Sequence, residues 1–328
     1  MAKNQSVMVP IPITEMINGS KVPVDLYIRL GEDKFICIAK AGSKTDKDRF
    51  SNYQNKTIHY LWVKREQYGE LVKSSLQIAG ILVAQSNLDG KQKTKVLTNT
   101  AASVFRQMDH MGLSFEAYSH SKQIVDATVT LSETHNDLSE LFASLADCSD
   151  ELLKHSMAVS CVSVLMAQAM NWDSRSTVEK LALGALLHDV GKKALPKELL
   201  EKPKSKMTYE EHQMYETHSY KGMQMMVGLG IVPDDIISIV YEHHENALGQ
   251  GFPRKLRNMK IHPLARIVGL ADEFVNLTLA NPSCPVPKTA REAIMIIDVT
   301  MGQPFNKECF RALQRVINKE IAAKKKAG

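Results

Sequence analysis

Histidines and aspartates at particular helix positions are the residues of this 328-residue chain best suited to chemistry. One apolar run ends in His188-Asp189, and Gly191 and Lys192 follow at once. Buried polar groups are costly unless they are paired. This helix end is therefore either capped and in contact with water, or part of a metal site beside a cation. The dipeptide alone favours the capped end, because single histidines are often structural.

The other histidines and aspartates in the series favour the metal site, because they follow one another on consecutive predicted helices. Glu151 and His155 are four residues apart and share one helix face, and Asp272 interrupts the apolar centre of another helix. Imidazole nitrogens and carboxylate oxygens together suit iron, manganese, zinc or cobalt. Two such ions, bridged by an aspartate, can clamp an in-line displacement at phosphorus. The ordered series consists of His155, His188, Asp189, His218, His243, His244 and Asp272.

The composition is that of an ordinary globular protein. The net charge of +5 suits an anionic ligand but lacks the basic blocks of a dedicated DNA-binding protein, so no DNA partner is expected. The five cysteines form no CxxC pair, which argues against a zinc knuckle and a disulfide framework. No run approaches the ~20 apolar residues of a membrane span, and no signal peptide is recognised. We therefore expect a location in a reducing cytoplasm.

The N-terminal part differs from the rest of the chain. The runs VDLYIRL, KFICIAK and TIHYLWV are short and rich in β-branched and aromatic residues, with a turn at Gly31-Glu32-Asp33. They predict a small α/β or β-rich domain over residues 1–63. From there the apolar spacing becomes helical, which predicts a helical connector or bundle over 64–147. Its predicted helices cover residues 65–85, 91–110, 113–131 and 134–147.

Residues 148–328 show helical patterns throughout and are predicted to form an all-α domain, which makes the protein mainly α. Ser176 and Thr208 are predicted N-caps, each with a glutamate three residues later. Pro233 and Pro263 are predicted to occupy the first position of their helices.

Five ordered segments between about 149 and 321 resemble the HD-GYP branch of the HD superfamily of metal-dependent phosphohydrolases. ALLHDVGKKALP resembles the HD-x-GK segment of that family, and THSYKG its second histidine segment. HHENALGQGFP is similar to the HH…GYP loop, and LARIVGLADEF to the final metal-aspartate helix. MGQPFNKECFRAL resembles the approach to the closing helix. The resemblance implies an HD-GYP-type helical domain over 148–328.

The resemblance implies two divalent metal ions, with iron favoured and manganese or zinc as alternatives. Asp189 would bridge them. Glu151 matches a glutamate that supports a third metal in some members, although a solvated carboxylate on a helix face is an equal alternative. One metal would be held by His155, His188, Asp189 and Asp272, and the other by Asp189, His218, His243 and His244.

Substrate contacts are implied in the same way. Lys192, aimed at the site by a tight turn at Gly191, would hold a substrate phosphate or the attacking hydroxide, so Lys192 and Asp189 are the expected catalytic residues. Arg266 resembles a family arginine near the phosphates, with a surface ion pair as the alternative. Gly251 and Phe252 would contact the nucleotide.

Two segments depart from the family pattern. The family loop is HHE-x-x-DG-x-GYP, whereas Leu248 here replaces its aspartate and Phe252 its tyrosine; the turn residues Gly249, Gly251 and Pro253 are kept. The stretch KPKSKMT has one residue more than usual between its proline and the following lysine. The expected metal site is intact, while the substrate-facing loop is altered.

Two functions follow from the resemblance. The first is a phosphodiesterase that hydrolyses a cyclic dinucleotide, cyclic di-GMP or a relative, by attack of a metal-bridging hydroxide, with activity reduced by the altered loop. The second is a degenerate domain that keeps its metals and acts as a cyclic-dinucleotide sensor or interaction module without turnover. A protein partner would then bind the N-terminal domain or the GFP loop. A phosphohydrolase for another nucleotide is a weaker third option, because the HH pair and the GxGFP loop argue against it.

Overall fold

The computed structural model describes residues 7–13, 16, 21–44, 52–53, 58–84, 88–134, 145, 148, 150–172, 174–300 and 305–327. The chain forms two compact units. The first comprises Met1–Leu88 and Val96–Ile124, and the second comprises Asp89–Lys95 and Val125–Gly328. The helix predicted over 134–147 lies almost entirely outside the described residues. The division of the chain into three parts stays a prediction.

The first unit contains a four-stranded antiparallel sheet in the order β1-β4-β2-β3. The three runs identified in the sequence form β2, β3 and β4, and Glu32-Asp33 is the turn of the β2–β3 hairpin. Sequence reasoning missed β1, because its two prolines, Pro10 and Pro12, weaken the strand pattern. A strand at the edge of a sheet tolerates proline, since one side of it needs no ladder hydrogen bonds. The strands are β1 (Met8–Pro12), β2 (Leu26–Gly31), β3 (Lys34–Ala39) and β4 (Tyr60–Lys64).

The helices that follow the sheet agree closely with those predicted from apolar spacing. They are α1 (Tyr68–Ala84), α2 (Gly90–Met111) and α3 (Phe115–Thr134). After α2 the chain continues through Gly112, whose φ of +76° is a backbone conformation that glycine adopts readily. The small sheet and the helices confirm the expected mainly α protein with a β-rich N-terminal part.

The second unit is helical, and its helices bring distant parts of the sequence into one core. Helix α4 packs against α5, α9 and α11, and α8 packs against α5, α7 and α9. Short 3₁₀ turns lie at Val190–Ala194, Lys204–Lys206 and Asn258–Lys260. The helices are α4 (Glu151–Ala169), α5 (Arg175–Leu187), α6 (Lys197–Leu200), α7 (Tyr209–Gly228), α8 (Asp234–Glu242), α9 (Pro263–Thr278), α10 (Ala290–Met295) and α11 (Lys307–Ala327).

Helix α4 is central to this core. Nearly every side chain between Leu153 and Ala167 is buried, so the helix is apolar on all sides, as expected of a helix surrounded by others. Among the described residues it is the one helix whose length and composition would also suit a membrane span, but 72% of that window is buried inside the protein.

The N-cap predicted for α5 is wrong. The helix begins two residues earlier, and the side chain of Ser174, rather than that of Ser176, accepts a hydrogen bond from the backbone N–H of Thr177. Glu179 does not complete a capping box with Ser176, because its carboxylate binds Arg175 Nε at 2.8 Å. Two serines two residues apart offer alternative caps, and the ion pair favours the earlier start.

Two of the remaining three cap predictions are confirmed, and the third is displaced by one residue. Thr208 and Glu211 form the predicted capping box at the start of α7. Pro263 occupies the first turn of α9 as predicted, whereas Pro233 is the N-cap of α8 and lies one position before the helix. These caps fix the starts of three helices that carry candidate ligands: His218 lies in the middle of α7, Asp272 lies within α9, and His243 follows the last residue of α8.

Candidate metal centre

The seven side chains of the ordered series meet inside the second unit. His155 lies on α4 and Asp272 on α9, and the other five lie on α7 or at the ends of α5 and α8. They form two groups, and in each the ligand atoms lie within 4.8 Å of one another. The first group contains Asp189, His218, His243 and His244, and the second contains His155, His188 and Asp272.

The two aspartates connect the groups. Asp189 Oδ1 lies 3.3 Å from His218 Nε2 in the first group, and its Oδ2 lies 3.2 Å from His188 Nε2 in the second. Asp272 Oδ1 lies 2.8 Å from His155 Nε2, and its Oδ2 lies 3.7 Å from His244 Nδ1. Each carboxylate therefore presents one oxygen to each group, which is the arrangement that a ligand bridging two metals requires.

Backbone carbonyls orient three of the imidazoles. In His188, His218 and His243, the Nδ1 atom lies close to the backbone carbonyl oxygen three residues earlier. The distance is 2.6 Å for His188 and His218 and 2.9 Å for His243. A carbonyl can only accept, so each Nδ1 carries a proton, and in the neutral imidazole each Nε2 then presents a lone pair to the centre. The three carbonyls belong to Ala185, Tyr215 and Val240.

Burial favours the neutral form of most of these imidazoles. It lowers the pKa of His218 to about 4 and that of His243 to about 3. It also lowers the pKa of His155, and that of His244 well below its ordinary value. Neutral imidazole is the form that binds a metal, so these side chains are ready to act as ligands at neutral pH.

The carboxylates remain ionised in spite of their burial. Burial would raise the pKa of Asp189, but His188 and Lys192 lower it well below its usual range. Burial acts in the same direction on Asp272, and His155 and the other imidazoles around it again lower the pKa. Burial would lower the pKa of His188, but the adjacent Asp189 raises it.

Poorly satisfied polar atoms indicate that this centre fits a metal. The buried atoms His155 Nε2, His188 Nε2, His244 Nε2 and Asp189 Oδ1 form no hydrogen bond of good geometry among the described residues, although all but His244 Nε2 lie within 3.3 Å of an atom of another candidate ligand. The unprotonated Nε2 atoms of His218 and His243 face each other at 3.4 Å. Opposed lone pairs and unpaired buried atoms are costly. Divalent transition metals would satisfy these atoms with the nitrogen and oxygen ligands that they prefer.

Gly191 supports the centre through a close backbone contact. A Cβ atom at this position would lie 1.9 Å from the carbonyl oxygen of His218 and 2.6 Å from the nitrogen of Gly222. Gly191 does not have a positive φ. The chain turns tightly here as expected, in the 3₁₀ turn Val190–Ala194 that carries Lys192, and glycine is required because only glycine lets this turn touch α7.

Replacing Gly191 by alanine is expected to destabilise the protein by about 1–3 kcal/mol, because the added methyl group meets backbone that no side-chain rotation can clear. The backbone movement needed to make room for the methyl group would also displace His218. Urea unfolding of the wild type and the variant measures the effect. Gly228→Ala is the matched control, since a Cβ there has nothing within 4 Å. An equal stability of Gly191→Ala and Gly228→Ala would contradict the contact.

Lys192 lies beside the centre, as expected from the sequence. Its ammonium contacts the Asp189 carboxylate and lies 5.3 Å from the centre of the Tyr215 ring. Its side chain is 17% exposed, and its position next to Asp189 suits binding of an anion. Its role in catalysis stays a prediction.

Two buried glutamates hold the loop that follows His244. Glu245 accepts hydrogen bonds from the backbone N–H groups of Arg254 at 2.6 Å and Leu256 at 2.7 Å. Glu242 accepts from the N–H of His262 at 2.7 Å. The loop is therefore tied down at both ends, although its sequence departs from the family pattern.

Gly251 and Phe252 lie against His244. A Cβ at Gly251 would lie 2.2 Å from the His244 carbonyl oxygen, so the loop passes close to the backbone of His244, a candidate metal ligand. The Phe252 ring lies 4.5 Å from the His244 imidazole, at an angle of 36°. Leu248 is 42% exposed at the tip of the loop.

Glu151 and Arg266 are not part of either ligand group. The Glu151 carboxylate is 60% exposed and binds Lys154 at 2.7 Å. Arg266 donates from Nε to the carbonyl oxygen of Ile261 at 2.9 Å, and from Nη2 to that of Met259 at 3.5 Å. The proposed roles of Glu151 toward a third metal and of Arg266 toward a phosphate stay predictions.

Two residues at the centre were missed. Asn276 Nδ2 donates to Asp272 Oδ1 at 2.9 Å and fixes the orientation of that carboxylate. Its position four residues after Asp272 on the same helix was a usable signal. Tyr215 positions His218 through its carbonyl group and meets Lys192 through its ring. Nothing in its sequence context indicated the second contact, which depends on tertiary packing.

Comparison with known proteins identifies the family. Residues 138–308 match the model of the HD domain family, described as "HD domain". This match covers more than half of the chain, so the protein belongs to the HD domain family and the resemblance seen in the motifs is confirmed. An HD domain implies binding of divalent metal, and the cluster of histidines and aspartates could hold it.

Among similar proteins, a Pseudomonas aeruginosa protein named "Cyclic di-GMP phosphodiesterase PA4108" is 27% identical over 215 residues, which are 66% of this chain and 50% of that protein. A Vibrio cholerae protein named "3'3'-cGAMP-specific phosphodiesterase 1" is 32% identical over 43% of this chain and 32% of its own length. The chain thus spans half or less of these curated relatives. Bd1817, an HDG"Y"P protein from Bdellovibrio bacteriovorus, shares the fold, with a TM-score of 0.69 and 19% identity over 95% of this chain and all of that one.

Proposed function

We propose that this protein hydrolyses a phosphodiester bond of a cyclic dinucleotide, cyclic di-GMP or a relative. The observation that carries the proposal is the pair of ligand groups joined by the two oxygens of Asp189. Such a pair suits an in-line displacement at phosphorus. Relatives named as phosphodiesterases of cyclic di-GMP and 3'3'-cGAMP support this choice of substrate class.

Two divalent metals would be held, one by each ligand group, with iron favoured and manganese or zinc as alternatives. When bound, such ions lower the pKa of water and neutralise charge on phosphoryl oxygens. The carbonyl-bound imidazoles keep their Nε2 atoms directed at the centre. Glu151 would contribute if a third metal binds, which requires the carboxylate to leave Lys154.

Lys192 would bind a phosphoryl oxygen of the substrate. Its ammonium already contacts Asp189, so an incoming phosphate would meet a positive charge at the edge of the centre. In the hydrolysis, the oxygen of a water molecule would form a bond to phosphorus as the bond between phosphorus and the 3′ oxygen breaks. The 3′ oxygen would take up a proton, and the product would be a linear dinucleotide with a terminal 5′ phosphate. The chain's net charge of +5 favours approach of an anionic substrate.

The proposal is tested by turnover of several cyclic dinucleotides with protein purified without oxygen and loaded with iron or manganese. A linear dinucleotide, separated by chromatography, is the expected product from at least one of them. It should disappear after chelation. Absence of product from every cyclic dinucleotide with a filled metal site would contradict the proposed enzyme.

The altered loop favours a second candidate function, a sensor that binds a cyclic dinucleotide without turnover. Phe252 lies against His244 but has no hydroxyl group to donate a hydrogen bond, and Leu248 presents an apolar side chain at the loop's tip. A protein partner would then bind the loop or the N-terminal domain.

All five cysteines are free, which suits the proposed cytoplasmic location.

The loop is therefore expected to make turnover weak. Combining Phe252→Tyr with Leu248→Asp should raise turnover, because it restores a hydroxyl donor and a carboxylate to a loop that is already formed. Gln250→Asp, which adds the same charge at a neighbouring exposed position, is the control. Wild-type turnover above ~1 per second, ordinary for an enzyme, would show that the departures do not impair catalysis. Measurable binding without hydrolysis in either protein would favour the sensor.

A further inference from the structure

The segment with the extra residue places a second lysine at the centre. Lys204, in the 3₁₀ turn Lys204–Lys206, has its Nζ 5.0 Å from the centre of the Tyr215 ring. Lys192 Nζ lies 5.3 Å from the same ring. Tyr215 is buried and belongs to the helix that carries His218. Two ammonium groups from different turns therefore share one aromatic side chain next to the ligand groups.

A chain of hydrogen bonds fixes Lys204 relative to Asp272. The backbone N–H of Lys204 donates to Ser283 Oγ at 3.0 Å. Asn281 Oδ1 accepts from the N–H of Ser283 at 2.9 Å, and its Nδ2 donates to the carbonyl of Asn276 at 2.8 Å. Asn276 in turn donates to Asp272. The turn after α9 thus connects the backbone of Lys204 to α9, the helix that carries the candidate metal ligand Asp272.

Lys204 differs from the other lysines of this segment. Lys202 is paired with Glu211 at 2.6 Å, and Lys206 is exposed. Lys204 is half-buried and forms no ion pair within 4.0 Å with any carboxylate of the described residues. Burial would lower the pKa of Lys204, but Tyr215 and the nearby carboxylates raise it. The side chain is therefore a charged ammonium that lies over the Tyr215 ring and has no carboxylate partner among the described residues.

We propose that Lys204 is a second substrate-binding residue that, together with Lys192, binds phosphate oxygens of the nucleotide. The identity of the ligand as a nucleotide rests on the proposed function. Lysine binds phosphate as a compact point charge, and two such charges on one side of a metal centre would hold an anion more tightly than one. Lys204, which directly follows Pro203 in KPKSKMT, brings this charge to Tyr215 beside the centre.

The test compares three variants in metal-loaded protein with equal, measured metal content. Lys204→Met keeps the unbranched stem on Tyr215 and removes the charge, Lys204→Arg keeps the charge, and Lys206→Met is the control two residues away. Calorimetry gives the dissociation constant of inorganic phosphate, which needs no turnover. Steady-state kinetics give KM and kcat for cyclic di-GMP.

Lys204→Met is expected to weaken phosphate binding and raise KM by about tenfold or more, the size of one charge-assisted hydrogen bond. The change in kcat should be much smaller. Lys204→Arg should restore most of the affinity, and Lys206→Met should match the wild type. Wild-type phosphate affinity and KM in Lys204→Met, or an equal loss in Lys206→Met, would overturn the inference.

The two proposals fail in different ways. If the wild type hydrolyses no cyclic dinucleotide, the proposed function is wrong, and the phosphate affinities still decide whether Lys204 binds the anion. If the wild type hydrolyses its substrate and Lys204→Met has the same KM and phosphate affinity, only the inference about Lys204 is wrong.

Discussion

Replacing Asp189 by alanine is expected to remove most of the metal from both ligand groups. Its Oδ1 faces His218 at 3.3 Å and its Oδ2 faces His188 at 3.2 Å, so one substitution deprives both groups of a ligand. Loss of a residue that only hydrogen-bonds a metal ligand typically lowers metal affinity about 10–100-fold. Loss of a ligand that both metals share should therefore lower it at least about 100-fold. Hydrolysis should fall with the metal content.

Elemental analysis of gently purified protein measures this effect. The wild type should contain about two metals per chain, one for each ligand group, or three if Glu151 takes part. Asp234→Asn is the matched control, because this aspartate is exposed in the first turn of α8 and lies outside both groups. Circular dichroism confirms that each variant is folded. Full metal retention in folded Asp189→Ala would contradict the bridging role.

Removing the metals is expected to lower the melting temperature of the second unit by roughly 10 °C. Ligands from α4, α7, α9 and the ends of α5 and α8 meet at one centre, so the free energy of metal binding also stabilises the fold. A ligand at about 1,000 times its dissociation constant contributes about 4 kcal/mol. For a unit of this size, 1 kcal/mol shifts the melting temperature by about 2–4 °C.

Thermal unfolding before and after chelation, with metal content measured in both samples, tests the expected shift. The same treatment of Asp189→Ala is the control, and its melting temperature should change little, because most of its metal is already absent. An unchanged melting temperature of the wild type after proven metal removal would show that the centre is peripheral to the fold.

The sequence was sufficient to predict which seven side chains meet at the candidate metal centre, for a physical reason. Imidazoles and carboxylates that recur within or at the ends of successive helices need a common partner when they are buried, and His188-Asp189 at the end of α5 is the clearest case. The Glu32-Asp33 hairpin and the Thr208 capping box are local features, fixed by residues within a few positions of one another. Such features are accessible to sequence reasoning.

Other features depend on contacts between distant residues. The proline-containing β1 becomes a strand because β4 pairs with it. Gly191 is required by the carbonyl of His218, which is 27 residues away in the sequence and adjacent only in the fold. The meeting of Lys204 with Tyr215 depends on the turn that holds Ser283. Spacing within one segment carries no information about these contacts.

Anomalous scattering from crystals of metal-loaded protein, recorded at the absorption edge of the metal, tests the central claim most directly. The account predicts two separate peaks. One should lie among Asp189, His218, His243 and His244, and the other should lie among His155, His188 and Asp272, with Asp189 in contact with both. A single peak, or metal bound outside these two groups, would contradict a two-metal centre bridged by Asp189.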